Sequence, residues 1–291
     1  MTQTSSIKKL LELLRVSKVE KVPKKRFGNC YDGGYVIADD LHGIGKMYSY
    51  GVNDDLSFEG NFVAQHPIPV ALFDPTIREV PKPKSNFFTF HLEGLKHQAP
   101  ATPGFSGWLF RCLKNQLNQR HPNRWARFFI NKVKFSLAQK FHYNSLEHHL
   151  RRLGDWGRKD LFLKVDIEGD EFNVFAHADE GVLNHFQQIA LEVHGLGEPN
   201  QREVQLKALE NLSKNHNLIH VHYNNYGGDI PVIEGMKCPQ YLELTYLRKD
   251  PQYTFSNNNS GFPEDLDFPN NINYADPALN FFPFLGEENA S

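Results

Sequence analysis

The chain has 291 residues, of which 40% are hydrophobic and 23% charged, with a net charge of −2 and a sequence pI near 6.7. Such values exclude a fibrous or disordered polymer and give no global electrostatic reason to bind nucleic acid or a membrane. Cys30, Cys112 and Cys238 lie far apart and form no CxxC pair, which argues against a structural zinc site or a disulfide framework and for a reducing, cytoplasmic setting.

In chain order, Ile7 to Val19 alternates Lys, Glu and Arg with Leu, which predicts a short amphipathic helix capped by Ser5 or Ser6 rather than a signal peptide. Short apolar runs then alternate with helix-like stretches, as in a parallel sheet covered on both faces. Strands are predicted at 46–51, 69–74, 86–91, 161–166, 188–194, 218–223 and 241–248, and helices at 56–64, 145–153, 170–178 and 200–216. The helix at 200–216 carries Val204, Leu206, Leu209 and Leu212 close to one face. No run reaches the roughly 18 apolar residues needed to span a bilayer.

Two segments depart from this rhythm. Residues 95–142, approximately, form a basic insertion without an acid, interleaved with Trp108, Phe110, Trp125, Phe128, Phe129, Phe135 and Phe141. It reads as a lid, as a surface for an anionic or membrane-linked acceptor, or as a helical excursion packing its aromatics on the main domain. Residues 250–291 have no Lys or Arg, several acids, an Asn run and several Pro, yet their Phe residues argue against free disorder. The expectation is one domain over 1–249 with the insertion, and an extended C-terminal strap over it.

The chemistry gathers at predicted strand ends. Gly51 follows the first strand, where a glycine lets backbone approach a ligand closely. Asp74 closes the second, where an acid can accept hydrogen bonds from ribose hydroxyls. A turn glycine followed by an acid at the end of the next strand is the ribose-binding layout of nucleotide-type cofactors. The pyrophosphate fingerprint GxGxxG is absent, which favours S-adenosylmethionine over NAD. Lys164 to Asp170 (KVDIEGD) places Asp166 and Glu168 where a buried strand becomes a turn, and alternation puts Glu192 and His194 on one side of their strand. If the two strands are neighbours, these groups converge. His222, Asn224 and Asn225 mark a further strand end and form a candidate acceptor rim, with a plain turn as the alternative.

Several blocks carry a resemblance: Asp32-Gly33-Gly34-Tyr35, Tyr48-Ser49-Tyr50-Gly51, Asp55-Leu56-Ser57-Phe58-Glu59, Phe73-Asp74-Pro75, Ser145-Leu146, Lys164-Val165-Asp166-Ile167-Glu168-Gly169, Glu192-Val193-His194 and His222-Tyr223-Asn224-Asn225. Over about residues 26–249, apart from the insertion, the chain resembles the FkbM-type S-adenosylmethionine-dependent methyltransferases. The resemblance implies a Rossmann-like class I methyltransferase fold, α/β with a seven-stranded, mostly parallel sheet, its last strand antiparallel, and helices on both faces. It also implies O-methyl transfer to a sugar of a glycan, glycolipid or nucleotide-linked acceptor. On the matching positions, Tyr50, Gly51, Val52, Asn53, Asp55, Asp74, Pro75, Glu93, Ser145 and Asp166 become candidate cofactor contacts. Tyr35, His222, Asn224 and Asn225 become candidate acceptor contacts. The usual first motif of the family, Asp-x-Gly-Ala-Asn-x-Gly, differs here: Ser49 and Asp55 stand at its acid and final glycine. Arg26 or the turn at 32–35 can then hold the methionine carboxylate.

Activating a hydroxyl needs a base or a Lewis acid. In one reading His194 or Glu168 takes the proton while Asp166 fixes the cofactor or the acceptor. In the other, Asp166, Glu192 and His194 bind a divalent ion, Mg²⁺ or Mn²⁺. The competing functions are a metal-dependent hydrolase built on Asp166, Glu168 and His194, and a non-catalytic glycan- or nucleotide-binding module. The local basic stretch and negative total charge disfavour nucleic acid as the partner.

Overall fold

The computed structural model describes residues 6–77, 79, 81, 84–97 and 142–285. All but the ends of the predicted basic insertion therefore lies outside the described residues. Seven strands build the main sheet: β1 (Lys46–Tyr50), β2 (Val70–Phe73), β3 (Phe88–His91), β4 (Leu161–Val165), β5 (Phe186–His194), β6 (His216–Tyr223) and β7 (Tyr241–Arg248). Their spatial order is β6-β7-β5-β4-β1-β2-β3. All neighbouring pairs run parallel except those of β7, which lies antiparallel between β5 and β6. The chain lays down β1 to β3 toward one edge and then returns to place β4 on the other side of β1. The order reverses there, which opens a crevice beyond the carboxyl ends of β1 and β4.

The strands are legible as buried runs. All five residues of β4, LFLKV, are buried, Lys164 included. Period-two alternation sorts side chains to two faces. Tyr48, Tyr50, Leu163, Val165, Leu191 and Val193 join one core with helices α1 (Ser6–Glu12), α3 (Leu146–Arg152), α4 (Glu171–His177), α5 (Glu180–Leu183) and α6 (Arg202–Asn215). On the other face Met47, Phe162 and Ala190 meet α2 (Ser57–Gln65) and a short antiparallel hairpin, Lys24–Phe27 with Tyr35–Ala38. Near the carboxyl edge that second face turns polar: Ser49, Lys164, Glu192, Glu243 and His222 are all buried. Register sets Ser49 beside Lys164, and Glu192 and His222 each opposite Glu243.

The helix predicted over 7–19 ends at Glu12. Leu14 and Val16 continue into the core, and Ser17–Val19 pairs as a strand with Phe255–Asn257. A tertiary partner overrides the local helical pattern there. Residues 250–285 run along the molecule and bury Phe262, Leu279 and Phe284. They also bring Asp267 onto His220 (2.8 Å), Asp276 onto His222 (3.0 Å) and Glu264 onto Lys24 (2.6 Å). No helix among the described residues is long and apolar enough to cross a membrane.

Candidate active site at the carboxyl edge

Because β4 and β5 are neighbours, Asp166, Glu192 and His194 converge, with one potential ligand atom from each within 4.8 Å of the others. Glu192 Oε1 accepts from Asn224 Nδ2 (2.7 Å) and lies 3.4 Å from His194 Nε2. Tyr35 places its hydroxyl 3.4 Å from both Asp166 Oδ2 and Glu192 Oε2. Glu168 sits in the turn after β4 at φ 63, a left-handed conformation costly for a residue with a Cβ. That conformation turns its carboxylate outward, with its side chain 61% exposed and Oε2 3.9 Å from His194 Nε2.

Glu171, at the start of α4, was not singled out by the sequence reasoning, because an acid in a first helical turn is ordinary capping chemistry. Here it is fully buried, and its Oε1 accepts from Ile167 N (3.0 Å), Gly169 N (2.9 Å) and His194 Nδ1 (3.1 Å). One carboxylate thus closes the turn and fixes the imidazole so that Nε2 faces Glu192. Glu59 of α2 was missed for the same reason; it accepts a short hydrogen bond from Ser49, so α2 supplies a buried carboxylate beside the end of β1.

The electrostatics are unbalanced. Burial, then the charge of Asp166, pushes the Glu192 carboxyl up to about 8. Burial raises Asp166 against the opposing pull of Lys164, and burial with Asp166 lifts Asp32 to about 6. Burial works against charge on His194 and Lys164. The Glu171 and Glu192 carboxylates nevertheless hold His194 well above the imidazole range, and Asp166 and Glu59 hold Lys164 above its ordinary value. His194 lies between Glu171 (3.1 Å) and Glu192 (3.4 Å), a setting that favours its protonated form. It accepts no proton in this state, so its predicted role as a base requires prior loss of one.

The candidate cofactor residues on the other flank have partners of their own. Gly51 has φ 75, and a Cβ there would lie 1.6 Å from the carbonyl oxygen of Asp166. The close approach it permits is to the neighbouring strand end. Asp74 accepts from Asn53 N (2.9 Å), Thr76 N (2.6 Å) and Thr76 Oγ1 (2.6 Å). Pro75 follows in the same turn, and Tyr50 and Val52 are buried. Asp55 accepts from Asn29 Nδ2 (2.7 Å) and from both the backbone and the hydroxyl of Ser57 (2.8 and 2.9 Å). Glu93 takes Asn144 (3.0 Å), His149 (3.3 Å) and Arg152 (2.7 Å), while Ser145 caps α3 through His148 N (3.1 Å). Among the described residues, two buried atoms near this flank lack partners: Asn53 Oδ1 in the turn after β1 and Arg26 Nη1 in the hairpin strand Lys24–Phe27. Those segments are tied together through Asn29, which bonds both Asp55 and Arg26.

The fold buries every residue of the predicted acceptor rim. Tyr35 is buried beneath the acids it touches. His222 is buried between Glu243 (3.0 Å) and Asp276 (3.0 Å), and burial opposed by Glu243 and Asp276 leaves it raised to about 10. Asn224 holds Glu192, and Asn225 binds the backbone of Asn271 and Tyr274 in the C-terminal segment (3.1 Å each). The physical reason is that segment, which covers the ends of β6 and β7. Comparison with family models, curated proteins and solved structures finds no match for this chain.

Proposed function

We propose that the protein is an S-adenosylmethionine-dependent O-methyltransferase acting on a sugar hydroxyl. The observation that carries the reading is the strand order: numbered along the chain it runs 3-2-1-4-5-7-6, with only strand 7 antiparallel. That agrees with the seven-stranded arrangement implied by the sequence resemblance, and its reversal point lies where a ligand is expected to bind. The residues fit the amino-acid end of the donor: Arg26 Nη1 is a spare buried donor for a carboxylate, and Asn53 Oδ1 a spare buried acceptor for an ammonium. For Asp74 to bind ribose, its carboxylate exchanges part of its bonding to Asn53 and Thr76.

When bound, the donor supplies an electrophilic methyl group, so the chain must align the acceptor and remove its proton. Asp166 lies at the crevice and, when no cation is bound, is placed to accept a proton from a hydroxyl, its affinity for protons raised by burial. Glu168 is the exposed second candidate. His194, with Nδ1 on Glu171 and Nε2 3.4 Å from Glu192, fixes the position of Glu192 when no cation is bound. Calorimetric titration with S-adenosylmethionine and S-adenosylhomocysteine tests the reading. Saturable binding of both, weakened at least tenfold by Arg26→Ala, is expected; absence of heat with either ends the proposal.

A further inference from the structure

We propose that Asp166, Glu192 and His194 form a binding site for one hard divalent cation, Mg²⁺ or Mn²⁺, at the carboxyl ends of β4 and β5. The cation site stands on its own geometry. Only its use, lowering the pKa of an acceptor hydroxyl, rests on the methyl-transfer reading.

Distance is the first argument. An octahedral ion with bonds of about 2.1 Å holds its ligands roughly 3 Å apart when adjacent and roughly 4.2 Å apart when opposite. The three candidate atoms already lie within 4.8 Å of one another, and His194 Nε2 is 3.4 Å from Glu192 Oε1. Bringing the widest pair to adjacent positions takes up to roughly 2 Å, within reach of side-chain rotation.

Preorganisation is the second. A metal-binding imidazole commonly donates its other N–H to a carboxylate, which sets its tautomer and direction. His194 Nδ1 meets Glu171 Oε1 at 3.1 Å, and Glu171 is itself pinned by two backbone N–H groups. Glu192 is held by Asn224, and the single Tyr35 hydroxyl lies between Glu192 and Asp166, 3.4 Å from each. Each ligand is thus braced from behind. Glu171 Oε2 remains buried without a partner among the described residues, so the bracing shell has acceptor capacity to spare.

Charge is the third. Glu192 sits directly opposite Glu243 in the ladder, an arrangement of like charges that costs stability unless something positive lies near. Asp166, Glu192 and Glu243 gather there with Lys164 and His222 as the neighbouring bases, and a bound ion would take the place of the His194 Nε2 proton. Lys164 does not saturate Asp166: its Nζ is 3.9 Å from Oδ2 and donates to the carbonyl of Gly51 instead. Two added positive charges reduce the deficit, and oxygen-rich ligands with one imidazole suit Mn²⁺ or Mg²⁺.

The test is Mn²⁺ titration of the full chain, following the free ion by electron paramagnetic resonance, with no methyl donor present. One ion per chain is expected, displaced by excess Mg²⁺. Glu192→Gln and His194→Gln should each weaken uptake at least tenfold, and Glu171→Gln, which frees the imidazole without removing a ligand, about tenfold. His177→Gln, at an exposed histidine stacked on His97, should leave uptake unchanged. Circular dichroism confirms that each variant is folded. No depletion of the free ion at millimolar Mn²⁺, or equal uptake by folded triad variants, overturns the site. Donor binding plays no part in this readout, so its failure and the failure of the methyltransferase reading are told apart.

Discussion

The two flanks of the crevice are built from the same kind of residue and behave oppositely. Beyond β1, β2 and β3, the carboxylates of Asp55, Asp74 and Glu93 are each met by several donors from their own loops and helices. Beyond β4, β5 and β7, carboxylates face one another: Glu192 opposes Glu243, and Asp166 raises the affinity of both Glu192 and Asp32 for protons. The first flank is a set of loop ties that a ligand has to displace. The second is a cluster of carboxylates that share Lys164, His194 and His222 as their bases. Strand-end acids alone do not distinguish the cases; what donates to them does.

The charged flank depends on what covers it, and that gives the largest expected effect. Deleting residues 250–291 removes the buried Phe262, Leu279 and Phe284, worth about 5–9 kcal/mol together. That is comparable to the whole stability of a domain. It also strips Asp267 and Asp276 from buried histidines. The truncated chain is expected to show no cooperative melt. A transition at the parent temperature would mean that the charged flank carries itself.

Next comes Glu171→Ala, which leaves the His194 cation and two backbone N–H groups unpaired and should cost about 3–5 kcal/mol in urea unfolding. Its counterpart on the saturated flank, Asp74→Ala, removes a carboxylate that pairs with no buried cation and should cost about 1–2 kcal/mol. Equal losses would erase the contrast between the flanks.

Much of this frame was readable beforehand. Four of the seven strands announce themselves as apolar runs leading to Gly51, Asp74, Asp166 or His194, because a strand buried on both faces has few polar positions to blur the pattern. The convergence of Asp166, Glu192 and His194 followed from alternation once β4 and β5 were placed side by side. Glu171 and Glu59 were not readable, since their importance comes from partners distant in sequence or from burial that helix propensity does not encode. The burial of His222, Asn224 and Asn225 was not readable, because nothing local announces that residues 267–276 return to cover them. The short hairpin before β1 escaped for a similar reason: KKRF and YVIA are too brief to show a period, and what stabilises them is packing on α2.

The smallest effect sharpens the comparison through pH. His222 is raised from an ordinary 6.5 to about 10 by Glu243 and Asp276, against burial. A group whose folded value lies above its unfolded one binds more protons when folded, so its contribution is fully present below about 6.5 and is lost as pH climbs toward about 10. Asp267 runs the other way: despite burial, His220 lowers it, so its contribution holds above its ordinary 3.8 and fades as acid reaches the folded value. The latch between β6 and the C-terminal segment should therefore be strongest between these limits. In His222→Gln, the decline in melting temperature between pH 7 and 10 should be shallower than in the parent. An unchanged slope would place the alkaline sensitivity elsewhere, with Glu192 the next group to examine. Its folded value of about 8 already makes stability fall as pH rises from its ordinary 4.5. A cation bound beside Glu192 favours its charged form and should flatten that fall, so repeating the pH series with saturating Mg²⁺ separates the two carboxylate environments without a mutation.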